Sequence, residues 1–186
     1  TVYFVNAFTT HKALSGNPAA VCLLAQWLPN TVLQAVAAQH NLSETAYIVP
    51  IGPARYAIRW FTPTREIDLC GHATLAAAHV LFEYPSALGN EATGNTLYFE
   101  SASGELTVER NSQLTLNFPL NALHQSPVPP AQIALYAKAF GLDAKQSQLD
   151  VFSNGKATII SCNSAQTVQN ATPNLHAISQ LAEPIH

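Results

Sequence analysis

Residues 71–82 constrain the fold most strongly, because this segment has the residues of a helix but almost no polar face. Its last ten residues, ATLAAAHVLF, are small or apolar on nearly every side. A helix that is apolar all round lies inside a protein rather than on its surface. We therefore predict a buried helix from Gly71 to about Phe82, which other elements must cover.

Runs of β-branched and aromatic residues, separated by turn residues, predict β-strands that would pack over this helix. They predict strands at 1–8, 19–24, 46–49, 55–61, 97–101, 106–109 and 114–118. An additional helix is predicted to start with Asn30 as its N-cap, to bury Val32, Leu33 and Val36, and to fade near Asn41. Strands arranged around one buried helix make an α+β unit, and this is the fold class that we expect.

The Pro-rich composition of segment 119–130 indicates a linker. Beyond it, the pattern predicts a helix at 131–140 ended by Gly141, strands at 149–152 and 157–162, and a last helix at 175–181. We therefore predict two parts. Residues 1–120 form a first α+β half, and residues 121–186 contain the linker and the start of a second half that stops early.

The composition narrows the classes of partner. Charged residues make up only 10% of the chain, against about a quarter in average soluble proteins, so we expect a partner surface that contacts either a second copy, as in a homodimer, or a missing segment of the same chain. A net charge of −3 without a basic patch argues against nucleic acid. The apolar runs are too short to cross a bilayer, and no signal-peptide pattern opens the sequence, so a cytoplasmic protein is expected.

Two places carry residues suited to chemistry. Glu44 lies between a predicted helix and an apolar strand. Desolvation by apolar surface raises the pKa of a carboxyl group, which suits a general acid–base. Gly71 and His72 lie where the buried helix begins, and the first N–H groups of a helix lack internal partners and attract anions. A substrate carboxylate could bind there, and Gly71 would let it approach the backbone closely.

Each motif also has a purely structural explanation. Gly16-Asn17-Pro18 is most simply a turn, an isolated Glu is usually exposed, and His72 could satisfy backbone groups at the helix start. The cysteines, at positions 22, 70 and 162, lack the spacing of a disulfide framework or a zinc site. They are most simply small buried residues, although the neighbours of Cys70 leave its role open.

An ordered series of motifs decides between these readings: FVNAFT, GNPAAVCLL, WLP, NLSETAY, IRWFTPTREIDLCGHATLAAAHVLF and LNFP. With these motifs from Val2 to about Phe118, the chain resembles the phenazine-biosynthesis (PhzF-like) isomerase family. The resemblance implies a diaminopimelate epimerase-like fold. Such a fold has two pseudo-symmetric halves, each a sheet around a central helix, with the active site between them.

The resemblance also implies roles for individual positions. Glu44 is expected to be the catalytic acid–base, and His72 to be catalytic with it. The positions expected to bind substrate are Asn17, Ser43, Gly71 and Ala73. The type member moves a proton between atoms of a dihydro-hydroxyanthranilate without a metal or organic cofactor, so we expect a small carboxylate substrate and no cofactor.

One family feature is not found. The second half of the family normally carries a segment resembling Gly-Glu-Asp-Pro-Val-Thr-Gly-Ser-Ala, whose Asp belongs to the site, but no Asp follows Asp150. We therefore expect the sequence to be a fragment of a longer protein. The alternative is a natural truncation, a non-catalytic binding protein or degenerate enzyme that lacks the second half-site.

Three other chemistries are weaker. A hydrolase using Cys70 and His72 is disfavoured, because residues two apart across a helix start point in different directions. Thiol-based racemisation, as in diaminopimelate epimerase, needs a second placed cysteine, and Cys162 lies in no matching motif. For zinc, only His72 and His79 share a helical face, and we expect no other ligand near them, so no metal is predicted.

Overall fold

The computed structural model describes residues 1–10, 15–88, 94–120, 124–125, 128–144, 148–153 and 158–181. The chain divides into two compact units, Thr1–Pro119 and Leu120–His186. This division lies one residue from the boundary drawn from the Pro-rich segment. Among the described residues, none of the helices has the length and apolar character needed to cross a membrane.

The described part of the first unit combines strands with two α-helices. In chain order its elements are β1 (Val2–Ala7), β2 (Asn17–Leu23), α1 (Asn30–His40), β3 (Glu44–Gly52), β4 (Arg55–Phe61), β5 (Glu66–Ile67), α2 (Gly71–Glu83), a 3-10 turn (Pro85–Leu88), β6 (Thr96–Ser101), β7 (Gly104–Arg110) and β8 (Leu114–Asn117). The predicted strands are all present, and the short β5 is an addition to them.

The strands of this unit form one mixed sheet in the order β1-β2-β3-β4-β6-β7-β8, with β5 paired to β4. The pairs β2–β3 and β4–β6 are parallel, and the remaining pairs are antiparallel. Parallel neighbours need a crossover connection, usually a helix. Helix α1 lies in the connection between β2 and β3, and α2 lies in the connection between β4 and β6.

Helix α2 lies inside the curve of this sheet. It packs against β1, β2, β3 and β8, and therefore against both ends of the strand order. Its core side chains Ala73, Ala77 and Ala78 are fully buried, and their small size lets strands approach closely. The prediction of a buried helix surrounded by strands in an α+β unit is confirmed.

Helix α1 corrects two details of the sequence interpretation. Asn30 is its first residue rather than its N-cap, and the Pro29 carbonyl accepts the N–H groups of Val32 and Leu33. The Asn30 side chain instead accepts a hydrogen bond from Arg59 on β4. The buried face carries Leu33 and Ala37 with Val36 partly buried beside them, whereas Val32, which was predicted to be buried, is 42% exposed.

Strands β2 and β3 both begin two residues before their predicted starts. Strand β2 begins at Asn17, two residues before the predicted start, so the turn itself is centred on Gly16. Gly16 has a φ of +92°, and a Cβ there would lie 2.6 Å from the Ala7 carbonyl oxygen. Strand β3 begins at Glu44 rather than Ala46, which places Glu44 in the sheet instead of in a loop.

The described residues of the second unit form a small antiparallel sheet and three helices. Its elements are β9 (His124–Gln125), α3 (Pro130–Phe140), β10 (Asp150–Ser153), β11 (Thr158–Ser161), α4 (Ala165–Gln169) and α5 (Leu175–Ser179), with the strands in the order β11-β10-β9. Gly141 ends α3 with a φ of +65°, as predicted. Helix α4 was missed, although Ser164 caps it by accepting the Thr167 N–H. The predicted strand start at Ala157 lies outside the described residues.

Candidate active site

The predicted site residues come from three strand or helix starts in the first unit. Strands β2 and β3 are parallel neighbours in which Ala19 pairs with Glu44. Their first residues therefore lie at the same edge of the sheet, with Asn17 and Ser43 close by. Helix α2 packs against both strands, and its start brings His72 to this edge. The topology thus gathers residues that are up to 55 positions apart in the chain.

Glu44 and His72 form the centre of the cluster. The Glu44 Oε2 atom lies 3.3 Å from the His72 Nε2 atom, and the side chains are only 17% and 10% exposed. A carboxylate can only accept a hydrogen bond, so a proton on Nε2 would be shared along this contact. The pair therefore places a carboxylate beside an imidazole ring, with both side chains largely shielded from water.

Ser43 links this pair to Asn17. Its Oγ atom lies 3.3 Å from His72 Nε2, 3.2 Å from Asn17 Oδ1 and 3.4 Å from the Pro18 carbonyl oxygen. A hydroxyl has one proton to donate, and both Asn17 Oδ1 and the carbonyl are acceptors. The structure therefore joins Asn17, Ser43 and His72 by hydrogen bonds, with Glu44 in ion-pair contact with His72.

Gly71 and Ala73, the other two residues expected to bind substrate, lie at the same helix start. The surroundings of their Cβ positions are protein rather than open space for a ligand. The side chain of Ala73 is fully buried in the core, so only its backbone could meet a ligand. A Cβ on Gly71 would lie 3.0 Å from the ring of Phe118 and 4.0 Å from Leu116. The glycine therefore makes room for Phe118, a reason for its presence that differs from close approach of a ligand.

Cys70 is a member of this cluster that the predicted site omitted. Its Sγ atom lies 3.4 Å from His72 Nδ1, the ring nitrogen that does not face Glu44, and within 4.8 Å of a Glu44 carboxylate oxygen. The pKa of the Cys70 thiol is raised from 9.0 to about 12, mainly by burial and also by the nearby Glu44, while N–H groups of Ala73 and His72 partly offset the rise. Its position directly before the Gly71-His72 helix start was the available signal.

A protonated, buried Cys70 is a poor nucleophile, since the thiolate is the reactive form. The state of this thiol therefore argues against both a Cys70–His72 hydrolase and thiol-based racemisation, as the sequence analysis also does. Cys162 is half-buried in the second unit. Cys22, the third cysteine, is buried in the first unit, and burial raises its pKa to about 11.

The prediction that no further metal ligand lies near His72 is wrong. Glu44, Cys70 and His72 each offer one ligand atom, and these atoms lie within 4.8 Å of one another. Tetrahedral zinc would hold such atoms about 3.3–3.6 Å apart, so small side-chain rotations would suffice. His79, the other histidine considered, instead lines a separate cavity of about 500 Å³ beside α2, which contains neither Glu44 nor His72.

Two features nevertheless make a metal centre the weaker description. The two nitrogens of His72 face different partners, so a shared ion would have to break one of these contacts. The start of α2 carries partial positive charge, which favours an anion over a cation. The cluster is better described as a network of hydrogen bonds around His72.

Comparison with known proteins identifies the family of the chain. The family model described as phenazine biosynthesis-like protein matches residues 5–185. The chain belongs to this family. It is also similar in structure to a PhzF-family phenazine biosynthesis protein of Enterococcus faecalis, with a TM-score of 0.79 and 39% identity over 99% of this chain and 66% of that one.

Two curated relatives that are similar in sequence are named isomerases. The chain is 40% identical to an uncharacterized isomerase of Pseudomonas aeruginosa, over 95% of its own length and 62% of the relative. It is 36% identical to an uncharacterized isomerase of Halalkalibacterium halodurans, over 97% of its length and 63% of the relative. The chain therefore spans less than two thirds of these relatives. A predicted epimerase of Pseudomonas aeruginosa, at 21% identity and a TM-score of 0.71, shows the same fold.

Proposed function

We propose that the protein is an isomerase or epimerase that moves a proton between carbons of a small carboxylate-bearing substrate, with Glu44 as the acid–base. The observation that carries this proposal is the Glu44–His72 contact of 3.3 Å in a shielded cluster at the start of α2. The family supports the reaction class, since curated relatives are named isomerases.

The geometry suits a single carboxylate that accepts a proton from one carbon and returns it to another. His72 holds one oxygen of Glu44, which fixes the direction of the carboxylate and leaves its other oxygen for the substrate. Ser43 and Asn17 extend polar contacts from the same edge of the sheet. Holding the reacting groups in place removes the entropy cost of encounter from the chemical step. Such a mechanism uses the side chain of Glu44 as its only proton carrier.

The substrate class follows from the helix start. The first N–H groups of α2 have no carbonyl partners within the helix, and although those of His72 and Ala73 also interact with the Cys70 thiol, this helix start suits a carboxylate group of the substrate. Gly71 is the first residue of this helix. We propose that the substrate places its carboxylate here and its reacting carbon beside Glu44, a few ångströms away.

The test measures proton exchange directly. Small unsaturated and amino-substituted carboxylic acids, including a dihydro-hydroxyanthranilate, are first screened for binding by thermal shift. Those that bind are incubated with the protein in deuterium oxide, with and without a chelator, and followed by proton NMR. We expect deuterium to enter one carbon position, with the same rate in the chelator. Ligands that bind but never exchange would contradict the proposal and favour a binding protein.

The expected homodimer and the cytoplasmic location stay predictions. The exposed aromatic side chains Phe4 and Phe8, at 67% and 66%, lie on and just after β1 and are consistent with a covered surface in an assembly. Sedimentation or light scattering of the purified chain would measure its oligomeric state.

A further inference from the structure

We propose that Cys70 is a positioning residue that fixes the tautomer of His72, so that the Nε2–H group of the ring faces Glu44. For its effect on catalysis this inference rests on the proposed function. The tautomer itself is a property of the folded protein and can be measured without any substrate.

The two nitrogens of the ring have different nearest partners, although the Cys70 Sγ atom also lies within 4.8 Å of a Glu44 carboxylate oxygen. On one side, Nδ1 faces the Cys70 Sγ atom at 3.4 Å. On the other side, Nε2 faces Glu44 Oε2 and Ser43 Oγ, each at 3.3 Å. A neutral imidazole has one N–H donor and one acceptor nitrogen, and its partners decide which is which.

The chemistry of the partners favours one assignment. An ionised Glu44 can only accept, so Nε2 must carry the proton to make a favourable contact. Nδ1 must then accept, and a thiol S–H is the donor that Cys70 offers. The raised pKa of Cys70 keeps that thiol protonated at neutral pH. Ser43 has other acceptors for its own proton in Asn17 and the Pro18 carbonyl.

The opposite tautomer leaves a conflict. If Nδ1 carried the proton, it would point at sulfur, which is a weak acceptor. The lone pair of Nε2 would then face the carboxylate of Glu44, and Ser43 would have to leave Asn17 to satisfy it. The thiol also interacts with Glu44, so it could donate there in this arrangement. Measuring the tautomer distinguishes the two arrangements.

The fixed tautomer has a consequence for proton transfer. With Nε2–H bound to Oε2, that oxygen stays engaged in both charge states of the carboxyl group, and the other oxygen takes and returns the substrate proton. Cys70 therefore acts through His72 and does not touch the substrate. Its burial, at 7% exposed, agrees with this indirect role.

The direct test is nitrogen NMR of protein labelled with ¹⁵N histidine. Wild-type protein should show an unprotonated Nδ1 and a protonated Nε2 for His72, with its signals assigned from their loss in His72→Gln. Cys70→Ala should shift the ring towards a mixture of tautomers, and Cys70→Ser, which keeps a donor, should restore the wild-type pattern. Cys22→Ala, which removes another buried thiol, should leave the His72 signals unchanged.

The kinetic arm separates positioning from stability. Cys70→Ala should lower kcat by about threefold to tenfold, the effect of one hydrogen bond, and should displace the pH profile. Cys70→Ser should keep both near wild type. A wild-type Nδ1–H tautomer would overturn the inference, as would a Cys70→Ala protein with unchanged tautomer and pH profile.

Two further outcomes are covered by this design. If Cys70→Ala does not fold, the wild-type spectrum and Cys70→Ser still decide the tautomer. If the protein exchanges no substrate proton but shows the expected tautomers, the proposed function fails while the role of Cys70 in positioning His72 stands.

Discussion

The ring of Phe118 lies against Gly71 at the point where a side chain would begin. A Cβ on Gly71 would meet two ring atoms of Phe118 at 3.0 and 3.3 Å. Contacts this short are tighter than ordinary van der Waals packing, so the ring would have to move. The start of the buried helix, and with it His72, is therefore coupled to a residue that follows β8.

Gly71→Ala should destabilise the protein by about 1 kcal/mol, because overpacking outweighs the gain in helix propensity. In a Phe118→Ala background the same change should become neutral or stabilising, since the obstructing ring is gone. Urea unfolding of the four proteins in this double-mutant cycle measures the coupling. Equal effects of Gly71→Ala in both backgrounds would show that Phe118 is not the reason for the glycine.

His72→Asn should lower kcat by about 10- to 100-fold, the range expected for losing a hydrogen bond to a charged group. The fold should persist, because Asn retains polarity at the helix start. His79→Asn is the matched control, since it removes an exposed histidine from the same helix. Initial rates and circular dichroism check both variants. Equal losses in the two would mean that the helix, and not the ring of His72, is being perturbed.

Ser43→Ala and Asn17→Ala should have non-additive effects, because they remove the same hydrogen bond of 3.2 Å. Each single change should raise KM more than it lowers kcat, since these side chains orient groups and carry no proton. The double variant should be little worse than either single one. Steady-state kinetics of the three proteins tests this, and fully additive losses would show that the two residues act separately.

Alkaline pH should weaken the fold through its buried thiols. Burial raises the pKa of Cys22 to about 11 and that of Cys70 to about 12, from 9.0 in both cases. Because the folded state holds these protons more tightly, their contribution is complete below pH 9. It is lost as the pH rises towards 11 and 12.

The free energy of unfolding should therefore fall above pH 9 by up to about 1.4 kcal/mol per pH unit for each titrating thiol. Cys22→Ala should make this slope shallower between pH 9 and 11. Urea unfolding at a series of pH values measures it. An unchanged slope in Cys22→Ala would show that Cys22 does not titrate differently in the two states.

The strongest sequence predictions came from features that act locally. The apolar run after Gly71 predicts a buried helix because nothing on its surface could face water, and the structure buries it inside the sheet. Glu44 and His72 were selected as candidate site residues from the motifs that contain them. The structure adds that the parallel pairing of β2 and β3 puts Glu44 at the edge where His72 lies.

The missed features depend on contacts between distant parts of the chain. The sequence predicts Asn30 as an N-cap, yet the Asn30 side chain accepts a hydrogen bond from Arg59, which lies 29 positions away in the chain. Gly71 was explained in sequence by close approach of a ligand to the backbone, and the structure adds that the Phe118 ring occupies the space where its Cβ would lie. Cys70 was set aside because its spacing from His72 seemed to separate the side chains, whereas the helix start turns the ring back towards the sulfur. Such pairings are decided by tertiary packing and leave no periodic signal.

The account depends most on Glu44, so its most direct test is deuterium exchange into a bound carboxylate by Glu44→Gln. This variant keeps the shape of the side chain but cannot carry the proton, and Glu109→Gln, an exposed change on β7, is the control. We predict that Glu44→Gln binds the ligand with exchange slowed by about 10²- to 10⁴-fold, while Glu109→Gln matches wild type. Wild-type exchange by a folded Glu44→Gln protein would contradict the central claim.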